Sequence, residues 1–153
     1  MSSRRSSALA LVVIALAACQ SKPATPDNLT VETATFAPTL HVDLKASTKT
    51  GSGLYYRDLL VGDGPAVTSG QQVSVRYIGW LPDAKKFDAG PYAFRLGTGA
   101  VSRGWDEGLV GMKVGGTRQL IIPASLGYGA MGSPPAIPAN AILVFNVDLI
   151  GVQ

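Results

Sequence analysis

The chain carries one cysteine and one histidine among its 153 residues, so thiol, imidazole and metal chemistry have almost no carriers. His41 stands alone in a polar stretch and reads as solvated, and neither a metal site nor a cofactor is expected. Cys19 ends an apolar run, and without a second cysteine a disulfide within the chain is excluded. The remaining candidates are aromatic: Tyr77, Phe87, Tyr92, Trp105, Tyr128 and Phe145, with one carboxylate, Asp88, directly after Phe87. Singly, none marks a site. Trp105, Phe87 and Phe145 fall at helical or alternating positions where such residues are usually core. Tyr77 in a strand is usually packing, and Asp88 in a Lys-Lys-Phe-Asp turn is usually solvated. Gathered on one cleft, they would form an apolar lining with very few polar groups, suited to holding a substrate and removing its water rather than to covalent attack.

The elements that must position them begin at about residue 51. After Gly53 the sequence becomes short alternating runs separated by glycine and proline, the pattern of a mostly antiparallel sheet. Strands are predicted at Leu54–Leu60, Gln72–Trp80, Tyr92–Leu96, Thr117–Ile122 and Ala141–Ile150. In the last of these Leu143, Phe145, Val147 and Leu149 share one face, while Asn146 and Asp148 fall on the other. Gly62-Asp63-Gly64-Pro65 and Leu81-Pro82-Asp83 supply turn chemistry. Helical spacing occurs in Arg103–Met112, where Trp105, Leu109 and Met112 recur at i, i+4 and i+7. Ser102 is placed to cap its start, with Asp106 and Glu107 in the first turn, where the helix dipole favours acids. One short helix against a curled sheet is an α+β domain.

The first fifty residues have a different texture. Met1 to Ser7 carry two arginines and no acid, and Ala8 to Ala18 are uninterrupted apolar residues ending in Leu16-Ala17-Ala18-Cys19, the layout of a secretory leader. The apolar run is about half the ~20 residues that a membrane-spanning helix needs. Ala17 and Ala18 before Cys19 resemble a bacterial lipobox, which implies cleavage in front of Cys19 and diacylation of its sulfur, each buried methylene being worth ~0.8 kcal/mol. By the same resemblance, Gln20 after the cysteine favours the outer membrane, with the domain facing the periplasm of the cell envelope. Ser3-Arg4-Arg5 is faintly like a twin-arginine signal but lacks the apolar residues that should follow. With Arg4 and Arg5 gone, the formal charge falls from +3 to +1, which gives no footprint for nucleic acid. Residues 20–50 are mostly Ser, Thr, Pro, Ala, Lys and Asp with scattered apolar residues and read as a flexible tether, although Leu40 to Leu44 alternates well enough to add an edge strand. The expected organisation is a leader at 1–18, a lipidated N-terminus and linker at 19–50, and one folded domain at 51–153.

Six motifs in the domain occur in the order and approximate spacing of a known family. They are Val75-Arg76-Tyr77-Ile78-Gly79, Lys86-Phe87-Asp88, Phe94-Arg95-Leu96-Gly97, Arg103-Gly104-Trp105-Asp106-Glu107-Gly108-Leu109, Tyr128-Gly129-Ala130, and Ile137-Pro138-Ala139-Asn140-Ala141-Ile142-Leu143-Val144-Phe145. Together they resemble the FKBP-type peptidyl-prolyl cis-trans isomerases over essentially the whole domain. The resemblance implies a half-wrapped five- or six-stranded antiparallel sheet packed on one short helix. It also implies catalysis of rotation about Xaa-Pro bonds in polypeptides, with help to the folding of exported proteins, and binding of macrolide inhibitors.

By matching position to motif, Trp105 would floor the proline pocket, with Tyr77, Phe87 and Phe145 as walls and Val101 and Ile137 closing the lining. Tyr128 would offer its hydroxyl to a substrate carbonyl, and Asp88 would accept a hydrogen bond from Tyr77 and set the polarity near the rotating amide. The backbone N–H of Ile137 would anchor the peptide. The chain departs from the family pattern in three places. The stretch between Asp88 and Phe94 is short, leaving Tyr92 where a wall aromatic would stand. Ser102 replaces a common isoleucine, keeping only its backbone N–H for substrate. Met131-Gly132-Ser133-Pro134-Pro135-Ala136 lacks the usual histidine and a bulky aliphatic. Altered preference beyond proline and weaker macrolide binding are expected. The competing reading is a non-catalytic, lipid-tethered module that holds proline-containing peptides as a chaperone or adaptor. The family's dimeric periplasmic members carry a long helix before the domain, which nothing between Gln20 and Gly51 resembles, so a monomer is expected.

Overall fold

Leu143, Phe145, Val147 and Leu149 alternate with half-exposed Asn146 and Asp148 along strand β6 (Leu143–Val152), and this strand sits at the middle of the sheet. The computed structural model describes residues 29–153; the leader and Cys19 lie outside the described residues. Six strands form one antiparallel sheet: β1 (Thr48–Lys49), β2 (Tyr55–Leu60), β3 (Gln72–Trp80), β4 (Lys86–Arg95), β5 (Thr117–Ile122) and β6, in the spatial order β1-β2-β5-β6-β3-β4. Among the described residues the single α-helix, α1 (Arg103–Gly108), packs on the inner face. Gly104 makes that approach possible, because a Cβ there would lie 2.6 Å from Ile122 Cγ2. The main core gathers Trp105, Leu109 and Met112 with Val75, Leu120, Phe145 and Leu149, all nearly inaccessible. This is the half-wrapped α+β architecture that the motifs imply.

Two boundaries and one cap differ from expectation. The helix ends at Gly108 rather than Met112, and the chain then turns through Leu109 and a left-handed Gly111. Trp105, Leu109 and Met112 still share one side, because Leu109 N–H reaches Trp105 O and Met112 N–H reaches Leu109 O. Ser102 is the N-cap residue, but its side chain makes no capping bond; its carbonyl accepts from the N–H groups of Trp105 and Asp106. β4 starts at Lys86, not Tyr92, and accommodates Pro91 because it is an edge strand with no ladder partner on its outer side.

The tether reading of residues 29–50 is overturned. Val31 and Leu40 are buried, and Val31 joins Tyr55, Ile121 and Ile142 in a second core on the outer face of the sheet, with Ala34, Phe36, Val42 and Leu44 packed around it. Register explains why this arm is needed. Tyr55, Ile121 and Val144 lie side by side on the outer face of β2, β5 and β6 and would otherwise be bare; beside them runs a polar row of Arg57, Gln119 and Asn146. The arm covers the first row with apolar side chains and bonds the second through backbone: Gln119 Nε2 donates to Leu40 O at 2.9 Å, and Arg57 Nη2 to His41 O at 2.9 Å. Ala37 N–H donates to Pro82 O at 2.8 Å. Burying two large aliphatics contributes ~1.5–3 kcal/mol each, which is why the arm lies down. Pro38–Leu40 is a 3₁₀ turn, so the edge strand expected at Leu40–Leu44 is absent; the edge strand is Thr48–Lys49 instead. Among the described residues, no helix is long and apolar enough to cross a membrane.

Candidate active site

Two neighbouring rows of inward-facing residues build the cleft. Phe145 of β6, Gly79 of β3 and Asp88 of β4 are in register in one row; Val147, Tyr77 and Gly90 occupy the next. The β3–β4 ladder slips between Gly79 and Trp80, leaving Phe87 as the extra residue of a bulge, a device that re-aims side chains at sheet edges. Gly79 is required there: a Cβ would sit 2.6 Å from Phe145 Cε1 and 2.7 Å from Phe87 Cζ. Phe87 and Phe145 meet edge to face at 5.4 Å, Trp105 meets Phe145 at 5.2 Å, and Tyr77 meets Trp105 at 5.2 Å, all near perpendicular. Such pairs add ~0.5–1.5 kcal/mol each beyond burial, and they lock the ring orientations of the pocket. Tyr92 stacks on Phe94, whose other side contacts Trp105.

These residues enclose a cleft of about 400 Å³, lined by Tyr77, Phe87, Asp88, Tyr92, Val101 and Trp105. Phe145, Ser102 and Tyr128 also lie on its wall, together with Ala100 and Gly127. Trp105 is buried at its base, whereas Tyr128 and Tyr92 are exposed at the rim. Among the described residues, the Tyr128 hydroxyl makes no hydrogen bond, which leaves it available to a ligand.

The polar feature of the cleft is a pair. Tyr77 Oη donates to Asp88 Oδ2 at 2.6 Å, and Ala89 N–H donates to Asp88 Oδ1 at 2.9 Å. Burial, reinforced by the hydrogen bond to the Asp88 carboxylate, pushes the Tyr77 phenol up to about 12. Tyr77 is therefore a fixed donor at physiological pH, and one lone pair of Asp88 is permanently occupied. The arrangement holds no nucleophile with a base beside it; what it offers is a dry aromatic socket with a carboxylate at one edge and a free phenol at another.

Ile137 is not on the cleft wall. Its side chain is buried in the main core, and its N–H donates to Ser133 O at 3.0 Å while Ser133 N–H donates to Ile137 O at 2.8 Å. The reason is the loop's own closure. Gly132 N–H bonds Tyr128 O and Asn140 N–H bonds Gly129 O, so the segment between Tyr128 and Asn140 folds upon itself. The peptide anchor expected at Ile137 is committed internally. Ala100 and Gly127 were absent from the sequence reading, because small residues carry no side-chain chemistry to notice.

One further contact shapes the wall. Asp106, in the first turn of α1, accepts from Gly97 N–H at 2.8 Å on Oδ1 and from Gly99 N–H at 2.9 Å on Oδ2. It ties the loop leading to Ala100, Val101 and Ser102 to the helix that carries Trp105.

A curled antiparallel sheet closed on one short helix, with an aromatic cleft at the helix N-terminus, defines the FKBP-like class. The sequence model of the FKBP-type peptidyl-prolyl cis-trans isomerases matches residues 64–150. The chain is 45% identical over 105 residues to the FK506-binding protein of Neisseria meningitidis serogroup B, covering 65% of this chain and 96% of that one. It is 54% identical over 102 residues to FK506-binding protein 4 of Dictyostelium discoideum, a match to 65% of this chain and 28% of that longer protein. Among solved structures, a peptidyl-prolyl cis-trans isomerase from Pseudomonas syringae superposes with a TM-score of 0.67 at 35% identity, covering 76% of this chain and 90% of that one. The chain belongs to the FKBP-type peptidyl-prolyl cis-trans isomerase family.

Proposed function

We propose that the protein catalyses cis-trans rotation about Xaa-Pro bonds in exported polypeptides, as a monomer held in the bacterial envelope by a lipid on Cys19. The observation that carries the catalytic reading is the cleft itself: perpendicular rings around Trp105, edged by the Tyr77–Asp88 pair. Rotation breaks no bond. The barrier of ~18–20 kcal/mol comes from amide resonance, and water bonded to the carbonyl oxygen strengthens that resonance. A socket that fits the proline ring over Trp105 strips that water and favours the twisted amide over either planar form. The Asp88 carboxylate at the edge opposes approach of the carbonyl oxygen in its planar, more negative form, and the Tyr128 hydroxyl is free to hold a neighbouring carbonyl. Lowering the barrier by ~5 kcal/mol would raise the rate by three to four orders of magnitude. No proton moves, so Asp88 has no role as a base.

Macrolides that present a proline-like ring fit the same socket. With the Ile137 N–H occupied, their grip and that of peptides falls chiefly on the aromatic walls and Tyr128. The envelope location rests on the apolar run before Cys19, on the small residues Ala17 and Ala18, and on Gln20.

The test is cis-to-trans relaxation of short Xaa-Pro peptides with the polypeptide Leu29–Gln153 and with its Asp88→Leu, Tyr128→Phe double variant. Acceleration that collapses in the folded variant is expected. A folded parent that leaves several peptides at their spontaneous rate refutes catalysis and leaves a peptide-holding module.

A further inference from the structure

We infer that the N-terminal arm is a spacer that keeps the cleft close to the membrane surface. The inference rests on the proposed lipid attachment at Cys19 and deepens it. Were residues 19–50 slack, roughly thirty residues would separate lipid from fold, with a limit of ~110 Å when fully extended. The arm removes most of that length. From Val31 onward it is held by buried Val31 and Leu40, by the bonds from Gln119 and Arg57 to its carbonyls, and by Ala37 N–H on Pro82 O. Its start is clasped by Glu32, whose carboxylate meets Lys49 Nζ at 2.6 Å and accepts from Tyr55 Oη at 2.7 Å. Only Cys19 to Asn28 remain between the lipid and the described fold, and roughly ten residues reach at most ~35 Å in any conformation.

The point where that leash meets the fold lies beside the cleft. Leu29, Thr30 and Val31 share a surface cavity with Pro123, Ala124 and Ser125. Three residues beyond Ser125 stands Tyr128 on the cleft wall, so the two are no more than ~11 Å apart by Cα spacing. A domain of this size has a radius of gyration near ~13 Å. The cleft rim, at the tethered end, is therefore confined within roughly 45 Å of the bilayer, against ~120 Å were residues 19–50 slack. Its substrates are proline-containing chains at the membrane surface.

The test uses full-length protein purified with its lipid and placed in phosphatidylethanolamine–phosphatidylglycerol vesicles bearing a dansyl headgroup acceptor. Energy transfer from Trp80 and Trp105 reads the height of the domain. A control inserts thirty Gly-Ser residues between Asn28 and Leu29, outside the fold. Thirty inserted Gly-Ser residues alone add an r.m.s. reach of about 30 Å, so transfer in the parent should exceed the insert by severalfold. Rotation of a soluble Xaa-Pro peptide should be equal in both. A Val31→Asp, Leu40→Asp variant should lose transfer as the insert does. Parent transfer no greater than that of the insert overturns the spacer while leaving the lipid reading intact. A Cys19 without lipid by mass spectrometry overturns that reading, and the spacer with it.

Discussion

Arg118 and Asp58 face each other across β5 and β2 as a two-point ion pair, Nε to Oδ1 at 2.6 Å and Nη2 to Oδ2 at 3.0 Å. The guanidinium is buried, lies over the Tyr56 ring, and donates through Nη1 to the carbonyls of Gly108 and Val110. It closes the C-terminus of the helix whose N-terminal half carries Trp105, so one side chain joins sheet, helix and site floor. Arg118→Ala should cost about 2–3 kcal/mol, from the lost bonds to the Gly108 and Val110 carbonyls and a pair whose Asp58 end is open to solvent, measured by urea unfolding. Arg118→Lys should recover little, because a point charge cannot hold the two-point geometry. A loss below ~1 kcal/mol, as for a surface pair, would contradict this account.

Asp106 predicts a separable effect on the cleft. Asp106→Ala leaves the N–H groups of Gly97 and Gly99 without their acceptor and frees the segment carrying Ala100, Val101 and Ser102. The expected result is roughly a tenfold fall in kcat/KM, equivalent to ~1.4 kcal/mol, carried mainly by KM. Peptide isomerisation kinetics on a variant with an unchanged circular dichroism spectrum decide it; an unaltered KM counts against a positioning role.

The Tyr77 phenol, held up to about 12 against a usual value of 10.0, sets an alkaline limit. The folded state keeps its proton where the unfolded chain has lost it. The contribution to stability is whole below pH 10 and declines as pH rises toward 12. Tyr77→Phe removes this term, so its thermal stability should fall less steeply than the parent's across that window. Parallel curves for the two proteins would place the ionisation elsewhere.

At acid pH the clasp on the arm weakens. Hydrogen bonds from Lys49 and then Tyr55 hold the Glu32 carboxyl down to about 2, from an ordinary value of 4.5. A depressed carboxylate stabilises the fold above its unfolded value and loses that effect as pH falls toward its folded value. Hydrogen exchange at residues 30–50 should therefore accelerate between pH 4.5 and 2, relative to β5 and β6, after correction for intrinsic rates. Glu32→Gln should show the faster exchange already at neutral pH. Uniform protection of arm and sheet in both proteins would argue against the clasp.

The domain was legible where its elements follow a period. β3, β5 and β6 alternate or run continuously apolar, and Trp105, Leu109 and Met112 keep helical spacing, so each was readable within a few residues. The arm crosses the strands instead of running with them, and Val31, Phe36, Leu40 and Leu44 consequently show no period that a sequence reading could detect. β4 was shortened because Ala89-Gly90-Pro91 has the chemistry of a turn, and only its place at the sheet edge lets it remain extended. The aromatic walls were visible as motif residues. The pairing of the Ile137 N–H with Ser133 O was not legible, because backbone pairing inside a proline-rich loop leaves no trace in side-chain types.

The central position of β6 also governs when the sheet can exist. Within the sheet, the half formed by β1, β2 and β5 pairs with the half formed by β3 and β4 through Leu143–Val152, which the ribosome makes after every other strand of the sheet. Until that segment is available the sheet stays in two unpaired halves, and the cleft lacks the wall that Phe145 supplies. Completion of the sheet thus waits for its final strand.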